Sequence, residues 1–345
     1  MARTLKVAVA GLGPVGQSLA RLLLHTPGVK LVAAVDSASV RTGQDLGTVL
    51  GLGRRLQVKV GAEPEGLLRR GRPDVAFVCS SSLLKDVRST ILSLVGRRVH
   101  VLTSCEELAY PVPQHLSAFR EIDRLARARK VAVLATGVNP GFAMDVLVLA
   151  LSAPCATVRR VAVTRVIDAG LRGLATQRGV GAGLNLGQFR RAVTEGNVRH
   201  VGLAQSAHMI AGALGWKLDR LDETLEPAIA PRDLDTAYLR IPAGAAAGIR
   251  QCARAYRGDQ LAISLDLQAY VGAESPRDHV LIDGDPPVDA SVAGGVNGDA
   301  ATAALLVNSL PRLLASPPGL RSAAELPLVH ALNPQQLAAV LQRRR

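Results

Sequence analysis

The chain has 345 residues, of which 48% are hydrophobic, 20% charged and only 3% aromatic. This length suits two globular domains, and the scarcity of aromatic side chains argues against a protein that stacks nucleic-acid bases. The formal net charge is +13, but the cations are scattered along the chain, and the one run, Arg343 to Arg345, is short. We therefore expect no nucleic-acid partner, because such binding needs a clustered basic surface.

The four cysteines and seven histidines show no spacing typical of metal ligands, so we expect no metal site. The N-terminus enters a strand at once and lacks a cleavable leader pattern. The most apolar stretch of helical length, residues 142–153, contains Asp145 and falls short of the ~20 residues that a membrane span needs. We expect a soluble, cytoplasmic protein with reduced cysteines and no membrane partner.

In the first part of the chain, predicted strands alternate with helices. The predicted strands are Leu5–Ala10, Val29–Val35, 56–60, 73–80, 99–103 and 131–136. Helical spacing follows the first strand directly and recurs at 83–95 and 115–130. Continuous apolar strands that alternate with helices predict a parallel sheet covered on both faces. The expected fold of residues 1–140 is therefore a Rossmann domain with a doubly wound parallel sheet, which is an α/β architecture.

After residue 153 the pattern changes to strict alternation of apolar and polar residues, as in "VRRVAVTRVID" and "LAISLDLQAYV". Such alternation predicts half-exposed antiparallel strands. Helices are expected at 188–195, 203–214 and 300–314, and a loop at 243–249. We therefore predict an α+β domain with an open mixed or antiparallel sheet over residues 141–296. Residues 297–345 should form a helical segment that packs back on the first domain.

The first strand leads into a glycine motif, G-x-G-x-x-G, at Gly11, Gly13 and Gly16. Gly11 permits a tight turn, Gly13 lets the backbone approach a pyrophosphate, and Gly16 allows close packing of the helix on the strand. The phosphates would lie at the helix N-terminus, where N–H groups are free and the helix dipole is favourable. These features predict a dinucleotide site. Its predicted contacts at this turn are Gly11, Gly13, Pro14, Val15 and Gly16.

The choice between NAD and NADP is left open by the second strand. Asp36 ends this strand twenty residues after Gly16, where a carboxylate can bind the ribose hydroxyls of NAD. Ser37 and Arg41 follow, and they could hydrogen-bond and neutralise the 2′-phosphate of NADP. We expect NADP(H), NAD(H) or both to bind.

Polar residues also follow three later strands. Ser80 and Ser81 come after one strand and can contact the cofactor or cap the next helix. Glu106 and Glu107 come after the next strand, and Asn139 follows the third in the turn "TGVNPGF". Since parallel strands end at one edge of a sheet, these groups should converge on the ligand crevice.

The segments "GLGPVG", "TSCEELAYP", "TGVNPGFAMD", "RHVGLAQSAHMI", "ETLEPAIA" and "GGVNGDAATAALLVNSLP" resemble the 2,4-diaminopentanoate dehydrogenase and native amine dehydrogenase family. That family is related in fold to dihydrodipicolinate reductases. The resemblance implies NAD(P)H-dependent reductive amination of a ketone or aldehyde with ammonia, the reverse oxidative deamination, and a homodimer. It also implies a glutamate as the catalytic acid/base, at Glu106, or at Glu107 if the match is shifted by one residue.

The chemistry of reductive amination independently favours such a group. Ammonia attacks as neutral NH₃, the carbinolamine needs an acid to lose water, and the resulting iminium is stabilised by a nearby carboxylate. One glutamate with a raised pKa can serve all three steps.

The substrate contacts are harder to predict. Candidate pocket residues are Phe142, Leu171, His200 and Thr302. Four arginines of the second domain could bind a substrate carboxylate, namely Arg165, Arg172, Arg178 and Arg199. Gly170 and Leu171 replace the larger or more polar residues common in related sequences, which favours a small apolar ketone or amine. The alternatives are a 2,4-diaminopentanoate or related amino-acid dehydrogenase and a non-catalytic NAD(P)-sensing regulatory protein.

Overall fold

The computed structural model of the protein describes residues 4–69 and 72–343, which divide into two compact units. The first unit comprises the described residues up to Phe142 together with those from Asn297 onward. The second unit is Ala143–Val296. The chain thus leaves the first unit once and returns to it near the C-terminus.

The first unit is built on a six-stranded sheet in which all neighbouring strands are parallel. In chain order the strands are β1 (Leu5–Ala10), β2 (Val29–Val35), β3 (Val75–Val78), β4 (His100–Thr103), β5 (Ala132–Ala135) and β14 (Gly319–Arg321). Their spatial order is β14-β5-β4-β3-β1-β2. Every residue of β3, β4 and β5 is buried, as expected for strands covered on both faces.

Eight α-helices of the described chain belong to this unit. They are α1 (Pro14–Leu24), α2 (Leu46–Val49), α3 (Gly66–Arg69), α4 (Leu84–Gly96), α5 (Leu116–Arg129), α10 (Gly298–Asn308), α11 (Leu310–Ala315) and α12 (Pro334–Arg343). One apolar cluster joins the sheet to helices from both ends of the chain, for example Val9 of β1, Leu19 of α1, Leu306 of α10 and Leu337 of α12. The C-terminal helices therefore contribute to the core of the first unit.

Some predicted elements of this unit differ in the structure. Residues 56–60 form only an isolated bridge, Asp45 to Lys59, instead of a strand of the sheet. The predicted helix 300–314 is two helices separated at Ser309, because Pro311 lacks the N–H that a continuous helix needs. Strand β14 was not predicted, since a three-residue strand carries little periodicity. Helix α12 lies in the segment 297–345, which was predicted to be helical without bounds for this helix.

The second unit contains a six-stranded mixed sheet with the order β13-β12-β6-β11-β10-β7. Its strands are β6 (Thr157–Asp168), β7 (Arg220–Ile229), β10 (Ala246–Arg257), β11 (Gln260–Tyr270), β12 (Arg277–Asp285) and β13 (Val288–Ala293). Only β6 and β11 run parallel; the other neighbours are antiparallel. The prediction of a loop at 243–249 was wrong, because β10 begins at Ala246.

Besides one 3-10 helix at Ala169–Leu171, the remaining elements of this unit are a small two-stranded sheet and four α-helices. They are β8 (Leu234–Asp235), β9 (Arg240–Ile241), α6 (Val146–Ser152), α7 (Leu174–Gly179), α8 (Leu186–Thr194) and α9 (Leu203–Ala213). Helix α9 packs on β10 and β11. Burial alternates along the strands: Val280 and Ile282 are buried, whereas Leu281 between them is 44% exposed. One face of the sheet is therefore covered and the other is open.

Within the described residues, no helix is long and apolar enough to cross a membrane.

Candidate functional site

The glycine turn after β1 fits a dinucleotide pyrophosphate. Gly11 has φ +87°, and a Cβ there would lie 2.7 Å from the main chain of Cys79. A Cβ on Gly16 would lie 1.9 Å from the Gly11 carbonyl oxygen, so this glycine packs against the turn itself. A Cβ on Gly13, by contrast, would meet nothing within 4 Å. The middle glycine therefore borders open space at the start of α1, where helix N–H groups have no partner within the helix.

Asp36 lies at the end of β2, but its carboxylate has partners within the protein. Oδ2 accepts a hydrogen bond from the Leu12 N–H (2.5 Å), and Oδ1 accepts from the Ala38 N–H (2.8 Å) and from Arg41 Nη1 (3.1 Å). Burial by itself raises the pKa of Asp36, and these donors outweigh it, so that the net pKa is lowered. Asp36 therefore connects the glycine turn to the segment that carries Ser37 and Arg41.

For the serines after β3, the sequence left open whether they contact the cofactor or cap the next helix. The Ser81 hydroxyl accepts a hydrogen bond from the Leu83 N–H (3.1 Å) and donates to Asp86 (2.6 Å), so Ser81 stabilises the start of α4. Ser80 is exposed, and its Cα lies 2.7 Å from the position of a Cβ on Gly11. Ser80 is therefore next to the glycine turn, and cofactor contact by this residue remains a prediction.

The two adjacent glutamates after β4 have different environments. Glu106 is half-buried and makes a side-chain hydrogen bond with Ser82. Burial, together with the neighbouring Glu107 charge, raises the pKa of Glu106 to about 7, against the hydrogen bonds from Ser82 and its own backbone. A carboxyl group with this pKa can both donate and accept a proton near neutral pH.

Glu107, in contrast, is bound to the start of a neighbouring helix. Its Oε2 accepts a hydrogen bond from the N–H of Leu84, the first residue of α4 (2.8 Å), and lies 3.6 Å from His115 Nε2. Its backbone N–H donates to the Ser82 carbonyl (3.2 Å). Acidic groups stabilise helix N-termini, so Glu107 has a structural partner that Glu106 lacks.

Glu106 and the glycine turn have Cys79 as a common neighbour. Burial and then the Glu106 charge raise the pKa of the Cys79 thiol, and the Cys79 main chain borders Gly11. The Cys105 thiol donates to the Ser82 carbonyl (3.2 Å), which connects the ends of β3 and β4. A titratable carboxyl group and the open space beside Gly13 thus occur at one edge of the parallel sheet.

The turn after β5, which contains Asn139, is held by α10. The Val138 N–H donates to the Thr302 hydroxyl oxygen (3.1 Å), and a Cβ on Gly137 would lie 3.3 Å from Thr302 Cγ2. Asn139 is 5% exposed, and Phe142 is half-buried. Thr302 therefore positions this turn, whereas its predicted contact with substrate remains a prediction.

In the second unit, Arg165 forms an ion pair inside the protein. It is 1% exposed, and its guanidinium donates to Asp278 Oδ1 (2.5 Å) and to the Val296 carbonyl oxygen (2.7 Å). Asp278 also accepts from the Val296 N–H (2.7 Å). Arg178 and Arg199 are exposed and Arg172 is half-buried. Of the four candidate arginines, Arg165 is thus buried and already paired with a carboxylate.

His200 and Leu171 have contrasting environments. The His200 backbone is held by Gln251, whose Oε1 accepts from its N–H (2.8 Å) and whose Nε2 donates to its carbonyl (2.9 Å). Burial and the Arg165 charge lower the pKa of His200 to about 4, so its ring is neutral at pH 7. Leu171 is 83% exposed, in a loop that buried Gln177 holds by hydrogen bonds to the Gly170 and Arg172 carbonyls (3.3 and 2.9 Å).

Sequence reasoning missed Ser82, Asp278 and Gln251. Ser82 belongs to the serine run, but nothing in the run distinguishes the serine that contacts Glu106. Asp278 and Gln251 occupy buried positions in alternating strands, and this unusual placement of polar residues was the available signal.

Comparisons with known proteins agree with this arrangement. The family described as 2,4-diaminopentanoate dehydrogenase C-terminal domain matches residues 142–341, and the family described as dihydrodipicolinate reductase N-terminus matches residues 5–84. The 2,4-diaminopentanoate dehydrogenase of Acetoanaerobium sticklandii is 33% identical over 339 residues, which cover 95% of this chain and 94% of the relative.

Two further proteins are similar over nearly their full length. An amine dehydrogenase of Streptomyces virginiae is 23% identical over 95% of this chain and 98% of its own. The structure of an amine dehydrogenase from Mycobacterium smegmatis matches with a TM-score of 0.85 at 22% identity, covering 96% of this chain and 98% of that one. The predicted Rossmann fold with a second mixed-sheet domain is confirmed. The chain belongs to the 2,4-diaminopentanoate dehydrogenase family and is an NAD(P)-dependent dehydrogenase.

Proposed function

We propose that the protein catalyses NAD(P)H-dependent reductive amination of small ketones and aldehydes with ammonia, and the reverse oxidative deamination of amines. The observation that carries this proposal is Glu106, a half-buried carboxyl group with a pKa of about 7 that follows strand β4 of the parallel sheet in a chain from this family. The amine dehydrogenase of Streptomyces virginiae, 23% identical, supports amines as the substrate class.

Glu106 would perform the proton transfers of this reaction. As a carboxylate it accepts a proton from ammonium, which leaves neutral ammonia to attack the carbonyl carbon. As a carboxylic acid it then donates a proton to the carbinolamine hydroxyl, which leaves as water. The carboxylate formed in that step stabilises the positive iminium. A pKa of about 7 lets both protonation states be populated during one cycle.

NAD(P)H, when bound, supplies the hydride that reduces the iminium carbon. The residues that would hold it are the glycine turn, Asp36, Ser37, Arg41, Ser80, Ser81 and Asn139. Gly13 provides an open approach for the pyrophosphate, and Gly11 and Gly16 keep the turn tight. Ser81 contributes through the start of α4, where its hydroxyl is already bonded to Leu83.

Two of the basic candidates in the second unit favour an uncharged substrate, whereas Arg172, Arg178 and Arg199 remain candidate carboxylate ligands. Arg165 is neutralised by Asp278, and His200 is neutral at pH 7, so neither provides a free positive charge for a carboxylate. The proposed pocket residues remain Phe142, Leu171, His200 and Thr302. The alternative is an amino-acid substrate such as 2,4-diaminopentanoate. The name of the relative with 33% identity supports this alternative.

The proposed working form is a homodimer in the cytoplasm. Exposed large apolar side chains on strands of the mixed sheet, Ile229, Leu281 and Val292, support assembly through the second unit. The free thiols of all four cysteines support a reducing compartment. Light scattering of the purified chain tests the dimer, which a monomer at micromolar concentration would contradict.

The decisive experiment is a substrate panel with the full-length protein, ammonium and either reduced cofactor at alkaline pH. We expect loss of the nicotinamide absorbance with cyclohexanone and small aldehydes, and at least about tenfold lower kcat/KM with oxo acids of similar size. Higher kcat/KM with 2-amino-4-oxopentanoate than with cyclohexanone would establish the amino-acid alternative. Cofactor binding without turnover of any carbonyl compound would instead establish the NAD(P)-sensing protein.

A further inference from the structure

The segment that follows β2 is a fixed loop, which we call the Asp36 loop and define as residues 36–45. Its first residue donates its N–H to the Gly61 carbonyl (2.9 Å), and Gly43 donates its N–H to the Val60 carbonyl (2.9 Å). The Thr42 hydroxyl donates to the Asp36 carbonyl (3.1 Å). These bonds hold both ends of the loop on the same neighbouring segment, so its side chains have defined positions.

The Asp36 carboxylate is poorly suited to bind two ribose hydroxyls. A carboxylate has about four acceptor sites, and the Leu12 N–H, the Ala38 N–H and Arg41 occupy three of them. Oδ1 already accepts two of these bonds, so only Oδ2 has an acceptor site left. Asp36 is also only 7% exposed. Selection of NAD by an acidic residue at this position needs a carboxylate that faces the 2′- and 3′-hydroxyls together, and this carboxylate is largely occupied.

Arg41, in contrast, retains most of its donors as far as the described residues are concerned. A guanidinium has five N–H donors, and Asp36 accepts one of them. The Arg41 side chain is 31% exposed, and Ser37, one residue beyond Asp36, is exposed. Arginine binds phosphate in a bidentate manner, and its ion pair with Asp36 reduces the conformational freedom that it would lose on binding.

We propose that the Asp36 loop is a subsite for a ribose 2′-phosphate, so that the protein selects NADP(H) over NAD(H). Arg41 binds the phosphate, and Ser37 donates a hydroxyl hydrogen bond to it. Asp36 is a positioning residue: it holds Arg41 and the glycine turn, and its charge is compensated by Arg41 instead of repelling the phosphate. This inference rests on the nucleotide site of the proposed function and adds the cofactor that this site selects.

The test measures binding of two nucleotide fragments to the full-length protein by titration calorimetry, independently of turnover. The fragments are adenosine 2′,5′-bisphosphate and adenosine 5′-monophosphate, which differ only in the 2′-phosphate. We expect the bisphosphate to bind at least about tenfold more tightly, because hydrogen bonds between charged groups contribute about 10- to 100-fold. The preference should shrink as salt increases, since Arg41 is partly exposed.

Three variants distinguish the roles of the residues. Arg41→Ala should reduce the preference for the bisphosphate over the monophosphate by about tenfold. Its affinity for the monophosphate should change by less than about threefold. Arg88→Ala is the matched control, because Arg88 of helix α4 forms an exposed ion pair with Glu121 of helix α5, outside the Asp36 loop. It should change neither affinity. Asp36→Asn should weaken bisphosphate binding about threefold or more, although it removes a negative charge near an anion.

The opposite results would overturn the proposal. Equal affinity of the wild-type protein for both fragments, or equal losses for both in Arg41→Ala, excludes a 2′-phosphate subsite. Tighter bisphosphate binding in Asp36→Asn shows that Asp36 repels the phosphate. Equal affinities together with NADH-dependent turnover would refute this inference alone. A bisphosphate preference without turnover of any carbonyl compound would instead refute the proposed function.

Discussion

The two six-stranded sheets of this protein place their charged side chains in different positions. In the parallel sheet, β3, β4 and β5 are buried throughout, and carboxylates such as Asp36 and Glu106 come just after strand ends. In the mixed sheet, Arg165 and Asp278 lie within strands, directly opposite each other in the register of β6 and β12. The first arrangement leaves Glu106 able to change its protonation state near neutral pH, whereas in the second Asp278 neutralises Arg165.

The physical reason is strand direction. All strands of a parallel sheet end at one edge, so side chains just beyond the ends gather without being enclosed by the sheet. A charge on the covered face of such a sheet is buried and must be paired to offset desolvation. We therefore expect charges at the strand ends to matter for catalysis and charges within the mixed sheet to matter for stability.

The largest expected effect separates the two adjacent glutamates. Glu106→Gln should lower kcat for reductive amination by about 10²- to 10⁴-fold, the usual contribution of an acid/base group, with cofactor affinity nearly unchanged. Glu107→Gln is the matched control: its amide oxygen can still accept the Leu84 N–H, so kcat should stay within about threefold. Steady-state kinetics of both variants measures this, and the reverse order of effects would assign the role to Glu107.

The next effect breaks the ion pair of the mixed sheet. Asp278→Asn leaves the buried Arg165 without its counter-charge and should lower the free energy of unfolding by about 3–5 kcal/mol. The double variant Arg165→Met/Asp278→Leu should lose less, because it removes both charges. Denaturant unfolding monitored by circular dichroism measures the difference. An equal or larger loss in the double variant would show that the main-chain bonds to Val296 matter more than the charge.

A smaller effect concerns the turn after β5. In Thr302→Val the side chain keeps nearly the same shape but loses the oxygen that accepts the Val138 N–H. This loss should lower the free energy of unfolding by about 1–2 kcal/mol and raise KM for the carbonyl substrate. Thr302→Ser keeps the hydroxyl and should restore most of both properties. If the serine variant behaved like valine, the methyl group in contact with Gly137 would be the important feature.

The smallest effect is on stability and depends on pH. Folding raises the pKa of Glu106 from 4.5 to about 7, so between these values the folded protein binds more protons than the unfolded chain. The stability contributed by protonated Glu106 is therefore lost as pH rises through this window. Glu106→Gln should be more stable than wild type by about 1 kcal/mol or more at pH ~8 and no more stable at pH ~4. Thermal unfolding at both pH values tests this, and a gain that is independent of pH would contradict the raised pKa.

Much of the fold and part of the site were predictable because they depend on local patterns. The glycine motif, apolar strand runs and alternating strands led to a Rossmann domain and a mixed sheet, and the structure has both. Residues 56–60 were predicted wrongly because a short apolar run does not reveal whether a neighbouring strand is available to pair with it. Ala246 begins a strand in an alanine- and glycine-rich segment, where propensity gives little information.

The sequence by itself determined that carboxylates and small polar residues would follow the parallel strands. The succession of apolar strand segments and the spacing of the glycines can be read directly from it. Only the tertiary structure decided what each one does. Glu107 contacts the start of α4, whereas Glu106 is partly buried and its pKa is raised. The Asp36 carboxylate accepts hydrogen bonds from Leu12, Ala38 and Arg41. Protonation and hydrogen-bond capacity depend on burial and on partners that are distant in sequence, which no local pattern encodes.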